Sequence, residues 1–302
     1  MRRLTLMLFT FAGLPSFLHA QDDLARAPVT PVRLTDHLHM LMGPGGNIGV
    51  SSGPDGIFLV DDQFAPVTEK IRAAVATIDR GTIRFVLNTH WHGDHTGGNE
   101  NLGQAGTIIV AQDNVRTRMS AEQFITSLND RVPASPKAAL PVVTFSESAT
   151  FFLNDEEIHA VHIPAAHTDG DAIVHFRRQN VLHVGDVYFN GLYPFIDVSS
   201  GGSVNGMIAA ADRILALAND STRIIPGHGP LASRADVAAY RTMLVTVRDR
   251  VRVAVRRGET LEQVQRAAPS AEYDEQWGKA FLNPAKFIEI VYASVRKDEG
   301  LR

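Results

Sequence analysis

The stretch Asn88-Thr89-His90-Trp91-His92-Gly93-Asp94-His95-Thr96-Gly97-Gly98 decides how the rest of the chain is read. Three histidines and an aspartate fall within six residues, directly after the apolar run Ile83 to Leu87. That run is short and carries β-branched residues, so it predicts a buried strand ended by the glycine-bearing segment. Imidazole and carboxylate are the usual nitrogen and oxygen ligands of zinc, and packing has no need of four such groups so close together.

Three further groups repeat the arrangement singly. His167 follows Ile163-Pro164-Ala165-Ala166, Asp186 follows Val181-Leu182-His183-Val184-Gly185, and His228 follows Ile224-Ile225-Pro226-Gly227. Each is delivered at the end of an apolar run by a turn that contains Gly or Pro. All of them can therefore converge on one edge of the sheets.

The 302 residues include no cysteine, which excludes disulfides and thiolate ligands and leaves His, Asp and Glu to hold any metal. A net charge of -4 gives no electrostatic case for a nucleic-acid partner. Apolar residues at 44% and charged residues at 21% are ordinary for a soluble globular protein. Arg2 and Arg3 precede the apolar stretch Leu4 to Leu14, and Leu18-His19-Ala20 offers a small residue at a cleavage point. Residues 1–20 thus have the layout of a secretory signal peptide cut after Ala20, too short for a convincing membrane span. The expected location is the periplasm or the secreted fraction, with no membrane contact after cleavage. Residues 21–33, with Pro28 and Pro31, predict an extended lead-in, and 34–302 a single α/β domain with a helical tail.

Within that domain, Gly43-Pro44-Gly45-Gly46 and Ser52-Gly53-Pro54-Asp55-Gly56 predict turns between strands, and Gly56 to Val60 a buried strand. Pro66 to Ile78 predicts a helix, with Val67, Ile71, Ala74, Val75 and Ile78 along one stripe. Thr107 to Ala111 predicts a strand. Gln112 to about Asn129 predicts a helix that gives way to Val132-Pro133-Ala134-Ser135-Pro136, a surface stretch of the kind that shapes substrate pockets. Strands follow at 150–153, 157–163, 172–177 and 181–184, a helix at 203–218, and a strand at 223–226. Ser233, with Asp236 three residues on, is the expected N-cap of a helix reaching about Arg257. Further helical segments are expected near 260–267 and 284–296. His37, His39, His159, His162, His175 and His183 are read as packing groups, as is Trp91, which is expected to point away from the ligands beside it.

Taken together, these residues resemble the metallo-β-lactamase superfamily: His-x-His-x-Asp-His at 90, 92, 94 and 95, then His167, Gly185-Asp186 and Pro226-Gly227-His228-Gly229. The resemblance spans roughly Leu34 to Leu231. It implies an αββα sandwich of two mixed β-sheets with helices on both outer faces and the metals at one edge. It implies one metal on His90, His92 and His167, a second on Asp94, His95 and His228, and Asp186 bridging the pair. Zinc is the expected metal, two per chain, although iron or manganese also suits nitrogen-and-oxygen sites.

Two such ions about 3.5–4 Å apart share a water and lower its pKa towards neutrality. The hydroxide would attack a substrate carbonyl, with Asp94 as the catalytic carboxylate near the leaving group. The expected substrate is a small molecule with a cyclic amide, the β-lactams foremost, because the leader suits an exported activity. A lactonase or (thio)ester hydrolase is the alternative, and a non-catalytic metal-binding protein a third reading. Asp186 stands where one β-lactamase subclass carries its cysteine ligand, and Phe189 where that subclass carries a lysine for the substrate carboxylate. Tyr188, Asn190 and Tyr193 are read either as donors to a substrate oxyanion or as wall residues of the substrate pocket.

Overall fold

The computed structural model describes Leu24 and residues 26–301, so the leader and the Ala20 junction lie outside the described residues. One sheet orders β1 (Thr30–Arg33), β2 (Leu38–Met42), β3 (Ile48–Ser51), β4 (Ile57–Val60), β5 (Ile83–Asn88), β6 (Ile108–Gln112) and β9 (Val143–Phe145). Its first four strands are antiparallel, and β4, β5, β6 and β9 are parallel. The other sheet orders β10 (Ser148–Leu153), β11 (Glu156–Ile163), β12 (Asp171–Phe176), β13 (Val181–His183) and β14 (Arg223–Ile225), antiparallel except for the β13–β14 pair. A separate hairpin joins β7 (Gln123–Ile125) to β8 (Asp130–Val132).

Because successive side chains on a strand point to opposite faces, apolar runs buried on both sides demand a cover on each. Phe58, Val60, Leu87 and Val110 of the first sheet meet Ala172, Val174, Val181 and Ile225 of the second, forming the layer between sheets. The alternate residues Leu59, Val86 and Ile109 pack outward on Ile71 and Val75 of α1 (Thr68–Ile78). Short helices follow at α2 (Gly93–Thr96), α3 (Asn99–Gln104) and α4 (Asp113–Met119). On the far side, Ile173, Leu182 and Ile224 pack under α5 (Val204–Leu217), α6 (Arg234–Arg256) and α9 (Pro284–Asp298). Between the last two lie α7 (Leu261–Arg266) and α8 (Asp274–Trp277). The order of layers is helix, sheet, sheet, helix, as expected.

Two expectations change. The lead-in ends in a real strand: Thr30 to Arg33 pairs with Met42 to His39 at the sheet edge. The helix expected from Gln112 to Asn129 stops at Met119, and the chain then folds into the β7–β8 hairpin. Phe124 and Ile125 are aromatic and β-branched, and Asn129 takes the left-handed conformation that the turn requires.

The cap of α6 is as expected, with a full capping box: Ser233 Oγ accepts from Asp236 N while Asp236 Oδ2 accepts from Ser233 N at 2.8 Å. Ser233→Ala should therefore cost about 1 kcal/mol. Urea denaturation should show the midpoint falling at unchanged slope; an unchanged midpoint would contradict the assigned cap.

Candidate metal centre

Every candidate ligand sits just beyond the C-terminal end of a strand. β5 leads to His90, β11 to His167, β13 to Asp186 and β14 to His228. Asp94 and His95 lie on the single turn of α2, for which His92 is the N-cap residue. The seven side chains form groups able to hold an ion: His90 with His92 and His167, His90 with His95 and Asp186, and Asp94 with His95 and His228. The ligand atoms within each group lie within 4.8 Å of one another. Asp186 stands between the two outer trios. Its Oδ1 is 3.1 Å from His95 Nε2, and its Oδ2 is 3.5 Å from both His167 Nε2 and His228 Nε2.

The hydrogen bonds behind the ring decide which nitrogen each imidazole offers. Thr89 Oγ1 donates to Asp61 Oδ2 at 2.8 Å, so His90 Nδ1–H must donate to Thr89 Oγ1 at 3.1 Å. His95 Nδ1 donates to the same Asp61 oxygen at 2.8 Å, and His167 Nδ1 to the Phe195 carbonyl at 2.8 Å. His92 is turned the other way, its Nε2 donating to Asp197 Oδ2 at 3.1 Å. Each of these histidines spends one N–H on the protein and turns its other nitrogen inward. His92 Nδ1 and His167 Nε2 accordingly face each other at 2.8 Å, and the buried His90 Nε2 makes no hydrogen bond. Inward lone pairs with no proton to share are what a metal ion satisfies, so the residues present fit one.

The electrostatics divide the ring. Burial, reinforced by neighbouring imidazoles, holds His90 well below the ordinary histidine range. Burial likewise takes His167 down to about 4, against the pull of Asp186. For His228 burial acts in the same direction, but Asp186 and Asp94 outweigh it and push the ring up to about 9. His95 is raised well above its usual value by Asp186, Asp94 and Asp61 in spite of burial. Asp94, although desolvated, is held down at about 2 by His95 and His228.

Two glycines are required for contact, not for flexibility. A Cβ on Gly46 would sit inside the His95 imidazole, and one on Gly227 inside the Asp186 carboxylate. Gly43-Pro44-Gly45-Gly46, read from sequence as a plain turn, is thus pressed against the site.

Sequence reasoning missed the supporting carboxylates. Asp61 follows the buried strand β4, the same strand-end signature that revealed the ligands, and Asp197 follows the apolar pair Phe195-Ile196. Asp171 accepts the backbone N–H of His167 at 2.7 Å and of Thr168 at 2.8 Å, and burial raises its carboxyl to about 8.

The expected substrate donors are not brought to the site as donors. Tyr188 is buried, its hydroxyl donating to Asn190 Oδ1 at 3.0 Å and its ring set against Tyr240. Asn190 donates to the Pro230 carbonyl at 3.0 Å. Tyr193 does reach the cavity wall, but its hydroxyl is bonded to Asp274 Oδ1 at 2.7 Å. Trp91 packs in the core as expected, but it does not point away from the ligands. Its ring centroid lies 4.6 Å from that of His92, and it lines both the metal loop and the cavity in front of it.

That cavity holds about 530 Å³, within the usual range for small-molecule sites. Asp94, Asp186 and His228 form its floor, and the inner face of the β7–β8 hairpin forms one wall.

Residues 48–228, more than half of the chain, match the family model of the metallo-beta-lactamase superfamily, and the chain belongs to that superfamily. It is 29% identical over 198 residues to a hydroxyacylglutathione hydrolase of Polaromonas sp. (strain JS666), a match covering 61% of this chain and 66% of that one. It is 24% identical over 158 residues to the acyl-coenzyme A thioesterase MBLAC2 of Gallus gallus, covering 48% and 56%. The chain thus spans between about half and two thirds of the length of these curated relatives. Its fold is similar to that of a metallo-beta-lactamase from Pontibacter korlensis, with TM-score 0.59, 17% identity, and coverage of 72% of this chain and 99% of that one.

The opposed histidine shifts make a pH prediction for the metal-free protein. His90 and His167 are already neutral at pH 7, whereas an ion entering beside His95 and His228 must displace protons. Raising the pH from 6 to 8 should therefore tighten the second equivalent of zinc, by up to roughly tenfold per unit for each proton displaced, and change the first much less. Calorimetric titration at several pH values measures this. Equal pH dependence of both equivalents would contradict the assignment.

Proposed function

We propose that this chain is a metal-dependent hydrolase that opens an ester, thioester or lactone at its carbonyl, with a divalent ion in each outer trio. The donor set of imidazole and carboxylate makes zinc the expected ion. The observation that carries the reading is Asp186, one carboxylate placed within reach of both trios. When bound, the ions would polarise the carbonyl and make water nucleophilic at neutral pH.

The chain's own residues supply the rest. His90, His92, His95 and His167 are fixed in orientation by Thr89, Asp197, Asp61 and the Phe195 carbonyl, so the ring is preorganised rather than gathered on binding. Asp94 is the ligand-set carboxylate most open to the cavity, its side chain 26% exposed, and it stays ionised at neutral pH. It can accept a proton on attack and return it to the departing oxygen or sulfur.

Curated relatives named as a hydroxyacylglutathione hydrolase and an acyl-coenzyme A thioesterase support this chemistry. The β-lactam reading ranks second, because Phe189 stands on the cavity wall, its ring stacked 5.3 Å from that of His228, where a lysine would grip a β-lactam carboxylate. Arg2, Arg3 and the apolar stretch after them support export to the periplasm, and the net charge of -4 gives no support to a nucleic-acid substrate.

The test is a panel of a homoserine lactone, a glutathione thioester and the chromogenic cephalosporin nitrocefin, each with and without chelator. A lactone or thioester should turn over, lose its turnover with chelator and regain it with zinc. Turnover confined to nitrocefin would overturn the proposal.

A further inference from the structure

The cavity in front of the metal ligands is built largely from apolar side chains, and beyond the ligands its charged wall residue is an acid. Phe64, Trp91, Leu192 and Phe195 line it beside the ligands, and Ile125, Leu128 and Val132 line it from the hairpin. Among the described residues on its walls there is no lysine or arginine; Asp130 adds a further carboxylate to Asp94 and Asp186.

The hairpin register explains why no cation enters. Ile125 pairs with Asp130 and Gln123 with Val132, whereas Phe124 pairs with Arg131 on the opposite face. Arg131 is turned away, bonded to Glu122 Oε1 at 2.9 Å and lying 5.4 Å from the centre of the Phe124 ring. The other cation near the hairpin, Arg118, is held by Asp169 Oδ1 at 2.7 Å.

An aromatic path leads outward from the ligands. The Phe195 ring lies 5.8 Å from that of His167 and 5.9 Å from that of His92, and 6.2 Å from the ring of Phe281. Phe281 is 67% exposed, and Leu128 across the hairpin turn is 39% exposed. Large apolar side chains left in water at a cavity that ends on catalytic groups mark a ligand surface.

We propose that this cavity takes an uncharged, apolar acyl chain of the substrate, running from the metal ligands along Phe195 towards Phe281 and Leu128, and discriminates against substrates with a carboxylate on that side. The inference rests on the site acting on a carbonyl. An apolar chain gains by leaving water against these walls. A carboxylate there would give up part of its hydration to apolar walls and meet the like charge of Asp130 with no lysine or arginine on the walls to pair with it.

The experiment separates this occupant from the reaction. Linear alkyl hydroxamic acids of two to eight carbons, whose head groups chelate divalent ions, are titrated calorimetrically into the zinc-loaded protein. Kd should tighten by about fourfold per methylene until the cavity is filled, the worth of a buried CH2. An eight-carbon chain ending in a carboxylate should bind at least about tenfold more weakly than its methyl-ended counterpart, given the cost of setting a charge against apolar walls with no cation to pair with it. Leu128→Asp and Phe281→Asp, at exposed positions, should flatten the chain-length slope, and Asp130→Lys should narrow the penalty on the carboxylate-ended chain. Affinity independent of chain length, or equal binding of the two chain ends, overturns the inference. Steep chain-length dependence without turnover of any ester, thioester or lactone overturns the proposed reaction instead and leaves the occupant standing.

Discussion

The buried carboxylate of Asp186 is the constraint on which the rest of the structure depends. A carboxylate taken out of water is costly unless it is surrounded by partners, and this one lies 3.1–3.8 Å from nitrogens of His90, His95, His167 and His228. Those four imidazoles arrive from four different places in the chain, after β5, on α2, after β11 and after β14. They can meet only if both sheets end at the same edge. Burial opposes ionisation of Asp186, yet His95 and His228 hold its carboxyl well below the usual range. The same field raises His95 and His228, so the ring is electrostatically self-consistent before any ion enters it. The local backbone bends to the same demand. Gly185 takes a φ of +51° ahead of Asp186, and Gly227 leaves the space that the carboxylate fills.

A second circle of carboxylates fixes the first. Asp61 binds His95 directly and His90 through Thr89, so one side chain sets the tautomer of a ligand in each trio. It does so from a left-handed φ of 64°, a conformation that aspartate tolerates better than most residues. Asp197 does the corresponding work for His92, and its burial is offset by hydrogen bonds from His92 and from Ser199 and Ser200. None of these groups lines the cavity. Their effect is to aim one nitrogen per imidazole inward, which separates a metal site from a cluster of buried histidines.

What was legible in the sequence follows from the physics of each feature. The ligands were readable because a charged or imidazole side chain at the end of a buried run has few structural uses, and seven of them in order form a set. The layers were readable because β4 and the runs Phe85 to Leu87, Ala172 to Val174 and Val181 to Leu182 are apolar at successive positions, which only cover on both faces explains. Asp61 carried the same strand-end signature and could have been found. The Asp197–His92 contact could not, since it joins residues 105 apart with no local pattern. Tyr188 and Asn190 misled because nearness in sequence to Asp186 does not aim a side chain at the site: the turn after β13 sends Tyr188 into the packing around Tyr240, whereas Tyr193 lines the cavity with its hydroxyl turned to Asp274. The hairpin was hidden because strands of three residues are too short for a period of two to show against a helical one.

On the proposed function, that hairpin, more than the ligand motif, would set what the ring acts on. The motif is compatible with any carbonyl that can reach the ions, so selectivity must come from the walls. In β8 the sequence Asp130-Arg131-Val132 alternates, with the acid and the valine inward and the arginine outward. A register slip of one residue would turn Arg131 into the cavity and Asp130 to solvent, reversing the charge offered to a substrate without altering any ligand. The pairing of Ile125 with Asp130 fixes this choice, and Glu122 and Phe124 hold the arginine on the outer face. The charge that the cavity wall presents is therefore set by strand register in a three-residue strand that carries no metal ligand.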